Sequence, residues 1–60
     1  MAITEVKKLI SEKLNWSVRD IFYLCSDKEQ FSYYIVYKNH RIKAICAIDG
    51  LNGCVSGIWN

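Results

Sequence analysis

Proline is absent from this chain, glycine occurs three times and histidine once. There is no run of one charge and no uninterrupted apolar stretch of membrane length. Each scarcity removes a class of answer. Without Pro-rich, Gly/Ser-rich or single-sign segments, nothing has the composition of a linker or a disordered tail. The first fourteen residues carry Glu5, Lys7, Lys8, Glu12 and Lys13, which break the apolar core that a signal peptide or a membrane span requires. The expectation is a cytoplasmic chain with no membrane partner. The cysteines at 25, 46 and 54 are odd in number and form no C-x-x-C pair, so neither a disulfide framework nor a zinc site is expected. They read as reduced, mostly buried thiols that pack as small hydrophobes. No phosphate-cradling, dinucleotide-binding, zincin or nucleophile-elbow motif occurs, and no cofactor or metal is expected.

What remains is short and apolar. Sixty residues, 52% of them hydrophobic, make one small domain spanning 1–60. A chain of this size hides only about 60% of the surface that its unfolded form exposes, and its stability alone is a few kcal/mol. A net charge of +2 is too mild to be a nucleic-acid footprint by itself.

Ile3, Val6, Leu9, Ile10 and Leu14 recur three and four apart, with polar residues between them, and so predict an amphipathic helix over 3–14. Glu5 near its start and Lys13 near its end suit the helix dipole, and Asn15 suits a left-handed exit. The period then changes to two. Val18–Ser26, Phe31–Lys38 and Arg41–Asp49 are rich in β-branched and aromatic residues and read as strands. The polar break at 26–30 has hairpin length, and Asn39-His40 fits a two-residue turn. Such connections are too short for parallel crossovers. The fold expected is therefore α+β, one N-terminal helix on a three- to four-stranded antiparallel meander, with Cys54–Trp59 either a fourth strand or an ordered tail.

Alternation divides each strand into two faces. Assigning the larger sets to the helix puts Val18, Phe22 and Leu24, then Phe31, Tyr33, Ile35 and Tyr37, then Ile42, Ala44, Cys46 and Ile48 beneath it. The leftover set is Ile21, Tyr23, Cys25, Tyr34, Val36, Ile45 and Ala47. An exposed sheet face should be polar, and this one is apolar with Arg19, Ser32, Lys38, Lys43 and Asp49 around it. Either the segment holding Val55, Ile58 and Trp59 folds back over that face, or the face meets a protein, another chain or a second copy in a homodimer. The candidate partner-binding residues are Ile21, Tyr23, Tyr34, Val36, Lys38, Lys43 and Ile45. The function expected is a small non-catalytic protein-binding module, an inhibitor, neutraliser or adaptor.

Two other readings stand beside it. Lys38, His40, Arg41 and Lys43 cluster around the second hairpin, with Tyr23, Tyr34 and Tyr37 in neighbouring strands, and this combination can bind single-stranded nucleic acid through phosphate contacts and base stacking. The third is a small ribonuclease-like toxin with His40 as general base, which needs a second acid or base that no spacing supplies.

The stretch Ala47-Ile48-Asp49-Gly50-Leu51-Asn52-Gly53-Cys54-Val55 closes the predicted order of helix and strands. Its Asp49, Gly53 and Val55, with that order, resemble the PepSY-type domain, whose last hairpin carries an Asp, a Gly four positions later and then an apolar residue. The resemblance implies binding or inhibition of other proteins. PepSY-type domains are usually exported or membrane-associated, whereas this sequence shows no export signal.

Overall fold

The computed structural model describes residues 2–60. The apolar spacing of the N-terminal segment produces α1 (Ile3–Leu14), which buries Val6 and Ile10. Asn15 ends it at φ 60° and ψ 39°, the left-handed exit that Asn tolerates better than most residues. Four strands follow: β1 (Ile21–Ser26), β2 (Phe31–Lys38), β3 (Arg41–Asp49) and β4 (Cys54–Trp59). They form one antiparallel sheet in the order β1-β2-β3-β4, with α1 laid on one face. The last segment is thus an edge strand and does not fold back over the sheet.

Residues 18–20 are not strand. Ser17 caps a short 3-10 turn, its hydroxyl accepting from the Arg19 amide at 3.4 Å and its carbonyl from the Asp20 amide at 3.0 Å. That local bonding competes with pairing and delays β1 to Ile21.

The core lies between α1 and the sheet. Val6, Ile10, Ile21, Tyr34, Val36, Ala44, Cys46 and Ile48 form it, with Leu14, Trp16 and Val55 packed at its margin. The expected facing of β1 and β2 is therefore inverted, while that of β3 holds for Ala44, Cys46 and Ile48. Cross-strand register is the cause. Val36 pairs with Ala44 and Tyr34 with Cys46, which commits the even positions of β2 to the helix side. Register shifts at Tyr23/Cys25, Val36/Tyr37 and Ala47/Ile48 then change the alternation along single strands. The number of apolar residues in a set does not decide its facing, since β3 turns most of its larger set to the helix and β2 its smaller one.

The expectation of mostly buried thiols holds only for Cys46. Cys25, on edge strand β1, and Cys54, at the start of edge strand β4, are exposed, and all three cysteines are free. Burial raises the Cys46 thiol above its ordinary pKa, so this group stays protonated and packs as an apolar one. Among the described residues no helix is long and apolar enough to cross a membrane.

Candidate functional site: an uncovered apolar sheet face

Among the described residues, nothing forms a second layer on the face of the sheet turned away from α1. Its centre is a row that crosses all four strands, with Phe22 opposite Ile35, Ile35 opposite Ile45 and Ile45 opposite Trp59. Phe22 and Trp59, at the two edges, are 45% and 56% exposed, while Ile35 and Ile45 are half-buried between them. Toward the β2–β3 turn the next pair is Tyr37 and Ile42, both exposed. In the other direction Tyr33 lies opposite Ala47, and Ala47 opposite Gly57.

Packing within the face fixes these side chains. The Phe22 and Tyr37 rings meet edge to face with centroids 6.4 Å apart, the arrangement that aromatic quadrupoles favour. The Lys7 ammonium of α1 lies 5.9 Å from the Phe22 centroid. A Cβ added at Gly57 would come 3.1 Å from Cη2 of Trp59, so the indole lies over the glycine and uses the room that its missing side chain leaves. Trp59 therefore presents a flat apolar surface on edge strand β4.

Charge divides by sheet end. Near the β2–β3 turn stand Arg19, Lys38, His40, Arg41 and Lys43, with Asp20 as the one acid among them, its Oδ2 3.9 Å from the Lys38 Nζ. The opposite end holds Asp27, Glu29 and Asp49 against Lys28. Two of those carboxylates organise their loops. Asp27 Oδ1 accepts from the amides of Glu29, Gln30 and Phe31, each at 2.9 Å, and the Gln30, Glu29 and Phe31 amides in that order hold its pKa below the ordinary value. Asp49 is buried. Its Oδ2 accepts from the Asn52 side chain at 2.6 Å and from Gln30 Nε2 at 3.2 Å, and its Oδ1 from the Leu51 and Asn52 amides. The Asn52 side chain is the main cause that lowers the Asp49 pKa. Gly53, at φ 66°, closes this turn by donating its amide to the Asp49 carbonyl at 2.8 Å. The Asp-and-Gly pattern of the last hairpin is thus a bonded turn that joins two loops.

The structure separates the residues expected to bind a partner. Ile21, Tyr34 and Val36 are under the helix, at 1%, 2% and 0% exposure, and belong to the core. Burial, and to a lesser degree the neighbouring Tyr23, raises the Tyr34 pKa. Tyr23 is exposed at the margin of the helix side, its ring 5.5 Å from that of Tyr34. Ile45 alone of the apolar candidates is on the open face. Lys43 occupies the shifted position between the Tyr37–Ile42 and Val36–Ala44 pairs, and Lys38 is at the turn. The rest of the open face, Phe22, Ile35, Tyr37, Ile42 and Trp59, consists of residues that strand alternation alone assigns to the helix side or that the sequence leaves in the tail. The two-residue turn pairs Lys38 with Arg41 and Tyr37 with Ile42, and only the register shift beyond them pairs even positions of β2 with even positions of β3, so no signal in the sequence marks this face.

His40 is exposed at φ 63° in the tight turn. Among the described residues there is no pocket and no group of three or more potential metal ligands. No family model, no curated protein and no solved structure matches the chain.

Proposed function

We propose that this chain is a small non-catalytic protein-binding module, an inhibitor, neutraliser or adaptor that acts by stoichiometric association through the open sheet face. The observation that carries the reading is the uncovered row Phe22–Ile35–Ile45–Trp59. Soluble monomers rarely leave a continuous apolar surface across a whole sheet, and Phe, Tyr and Trp are the residues that interface centres favour. Lys38, Arg41 and Lys43 at one end, and Asp27 and Glu29 at the other, supply a charged rim. Ile21, Tyr34 and Val36 serve from beneath, by fixing the sheet that presents the row. The resemblance of the Asp49–Gly53 turn to PepSY-type domains points to the same class of activity, and a cytoplasmic setting is part of the proposal.

A photo-reactive benzoylphenylalanine placed at Ile42, or at the helix surface position Glu12 as control, tests this in cells that produce the chain. Ile42 is expected to give a protein adduct that is suppressed when Trp59→Asp is added, and Glu12 is expected to give none. Absence of any protein adduct at Ile42, Phe22 and Trp59 would sink the reading. A nucleic-acid adduct, with binding that falls steeply as salt is raised and when Lys38, His40, Arg41 and Lys43 are replaced, would put the second reading of the sequence in its place.

A further inference from the structure

We infer that Asn52 is a site of spontaneous chemical modification, deamidation through a succinimide formed with Gly53, and that Asp49 holds the site shut for as long as the β3–β4 turn is closed. The site lies at the loop end of the sheet, apart from the open face.

Residue type picks out the position. Asparagine is converted when the amide nitrogen of the next residue attacks its side-chain carbonyl carbon, and glycine, which has no Cβ, shields that nitrogen least. Asn15 and Asn39 precede Trp16 and His40, whereas Asn52 precedes Gly53 and is exposed to the water that the reaction uses. In the step itself the Gly53 nitrogen loses its proton and bonds to Cγ of Asn52, the Cγ–Nδ2 bond breaks, and ammonia leaves with that proton. Nothing is oxidised or reduced. Water then opens the ring at one carbonyl or the other, leaving aspartate or an isoaspartate whose main chain runs through the side chain.

Both nitrogens in this exchange are engaged by one residue. The Gly53 amide, the nucleophile, donates to the Asp49 carbonyl at 2.8 Å, so its proton is held and its deprotonated form would face a lone pair. Asn52 Nδ2, the leaving group, donates to Asp49 Oδ2 at 2.6 Å, while the Asn52 amide donates to Oδ1 at 3.1 Å. Swinging the carboxamide onto Gly53 therefore breaks contacts to a buried carboxylate, which Gln30 Nε2 also holds at 3.2 Å. The other glycine of the turn follows the same rule. Gly50 succeeds Asp49, the second residue type that forms succinimides, and its amide is committed to the Gln30 carbonyl at 2.7 Å. Protection here is by hydrogen bonding and not by burial, so it lasts only while the turn stays closed.

The product does not fit the place that the asparagine leaves. Aspartate at 52 has no Nδ2 to give to Asp49 Oδ2 and sets a second carboxylate against the first, and like charges at hydrogen-bonding distance disfavour the doubly ionised pair. Each opening of the turn thus carries a chance of a change that closing cannot reverse, and the joined loops loosen with age at a rate set by how often they open.

The test is peptide mapping of the full chain, held in mildly alkaline buffer with reductant, for aspartate and isoaspartate at position 52. The folded chain is expected to convert at least about tenfold more slowly than the same chain unfolded in guanidinium chloride, since more than one hydrogen bond must open first. Asp49→Ala, with its helical circular-dichroism signal intact, should remove most of that difference. Asn52→Asp, which carries the normal-backbone product directly, should have a lower urea midpoint than the parent at neutral pH. That midpoint should rise as pH is lowered toward about 5, because a carboxylate pair raises one folded pKa and the fold gains stability as that group takes up its proton. The parent, whose Asp27 and Asp49 are held below their ordinary pKa, should show no such rise. Equal rates in the folded and unfolded chain overturn the inference, as does a folded Asp49→Ala that converts no faster than the parent, or an Asn52→Asp chain with the midpoint and pH profile of the parent. Should Asp49→Ala lose its helical signal, the folded-against-unfolded rates and the Asn52→Asp profile decide by themselves.

Discussion

Asn39 and His40 sit at φ 54° and 63°, both in the left-handed region, because a two-residue turn joins twisted antiparallel strands best when both central residues adopt it. Asn and His are among the non-glycine residues that enter this region most often, but both carry a Cβ that glycine lacks, and glycine is the usual second residue. His40→Gly is therefore expected to stabilise the fold by about 0.5–1 kcal/mol, the relief of strain exceeding the added freedom of the unfolded chain. A urea midpoint that rises at constant slope would show it, and a midpoint that falls would mean that the His40 ring contributes a contact worth more than the strain. At this scale the sequence was readable. Asn15 and Asn39 were expected to take positive φ and do, whereas Lys28, at φ 66°, was not anticipated. Lys28 follows Asp27, whose carboxylate gathers three amides and so forces the loop to turn sharply around it; nothing in the identity of a lysine announces that.

Among the elements, the helix was legible and the faces of the strands were not, for a physical reason. A period of 3.6 with polar residues on one side of α1 leaves a single stripe to bury, and Val6 and Ile10 are the middle of it. Ile10→Ala removes a fully buried side chain and is expected to cost about 2–5 kcal/mol, enough to unfold much of a chain this small, whereas Ile3→Ala, at a half-exposed position, should cost less than about 1 kcal/mol. Denaturant titration of the two variants checks the contrast, and equal losses would mean that α1 is rotated from the orientation described. In β1 and β2, by comparison, both alternating sets are apolar, so the pattern does not say which one is inside. Three register shifts then change the parity along the strands, and one residue of slip moves a side chain to the opposite face. The existence of an apolar face without a layer over it could be read from the count of apolar residues; its membership depended on pairing, which only the assembled sheet supplies.

For the molecule as a whole, the ionisable groups place limits on stability from both sides of neutrality. Asp27 and Asp49 have folded pKa values below the ordinary 3.8, held there chiefly by the Gln30 amide and by the Asn52 side chain respectively. The unfolded chain therefore binds more protons than the folded one as pH falls below about 5, and their contribution, fully present at neutral pH, is lost progressively as pH passes through 3.8 and then through the lower folded values. Cys46 and Tyr34 act in the opposite sense. Burial lifts them above 9.0 and 10.0, so above about pH 9 the unfolded chain ionises first and stability falls as pH rises. The acid limb belongs to the end of the sheet where Gln30 joins the two loops, by its side chain to Asp49 and by its carbonyl to the Gly50 amide at 2.7 Å. Urea midpoints measured from pH 2 to pH 10 should accordingly give a plateau around neutrality with a fall on each side. Asp49→Asn should lower the plateau and flatten the acid limb, because its side chain keeps an acceptor but no longer titrates, while leaving the alkaline limb as it was. If the acid limb of Asp49→Asn kept the full slope of the parent, the carboxylates responsible would lie elsewhere, and the joined loops would not be what holds that end of the sheet at low pH.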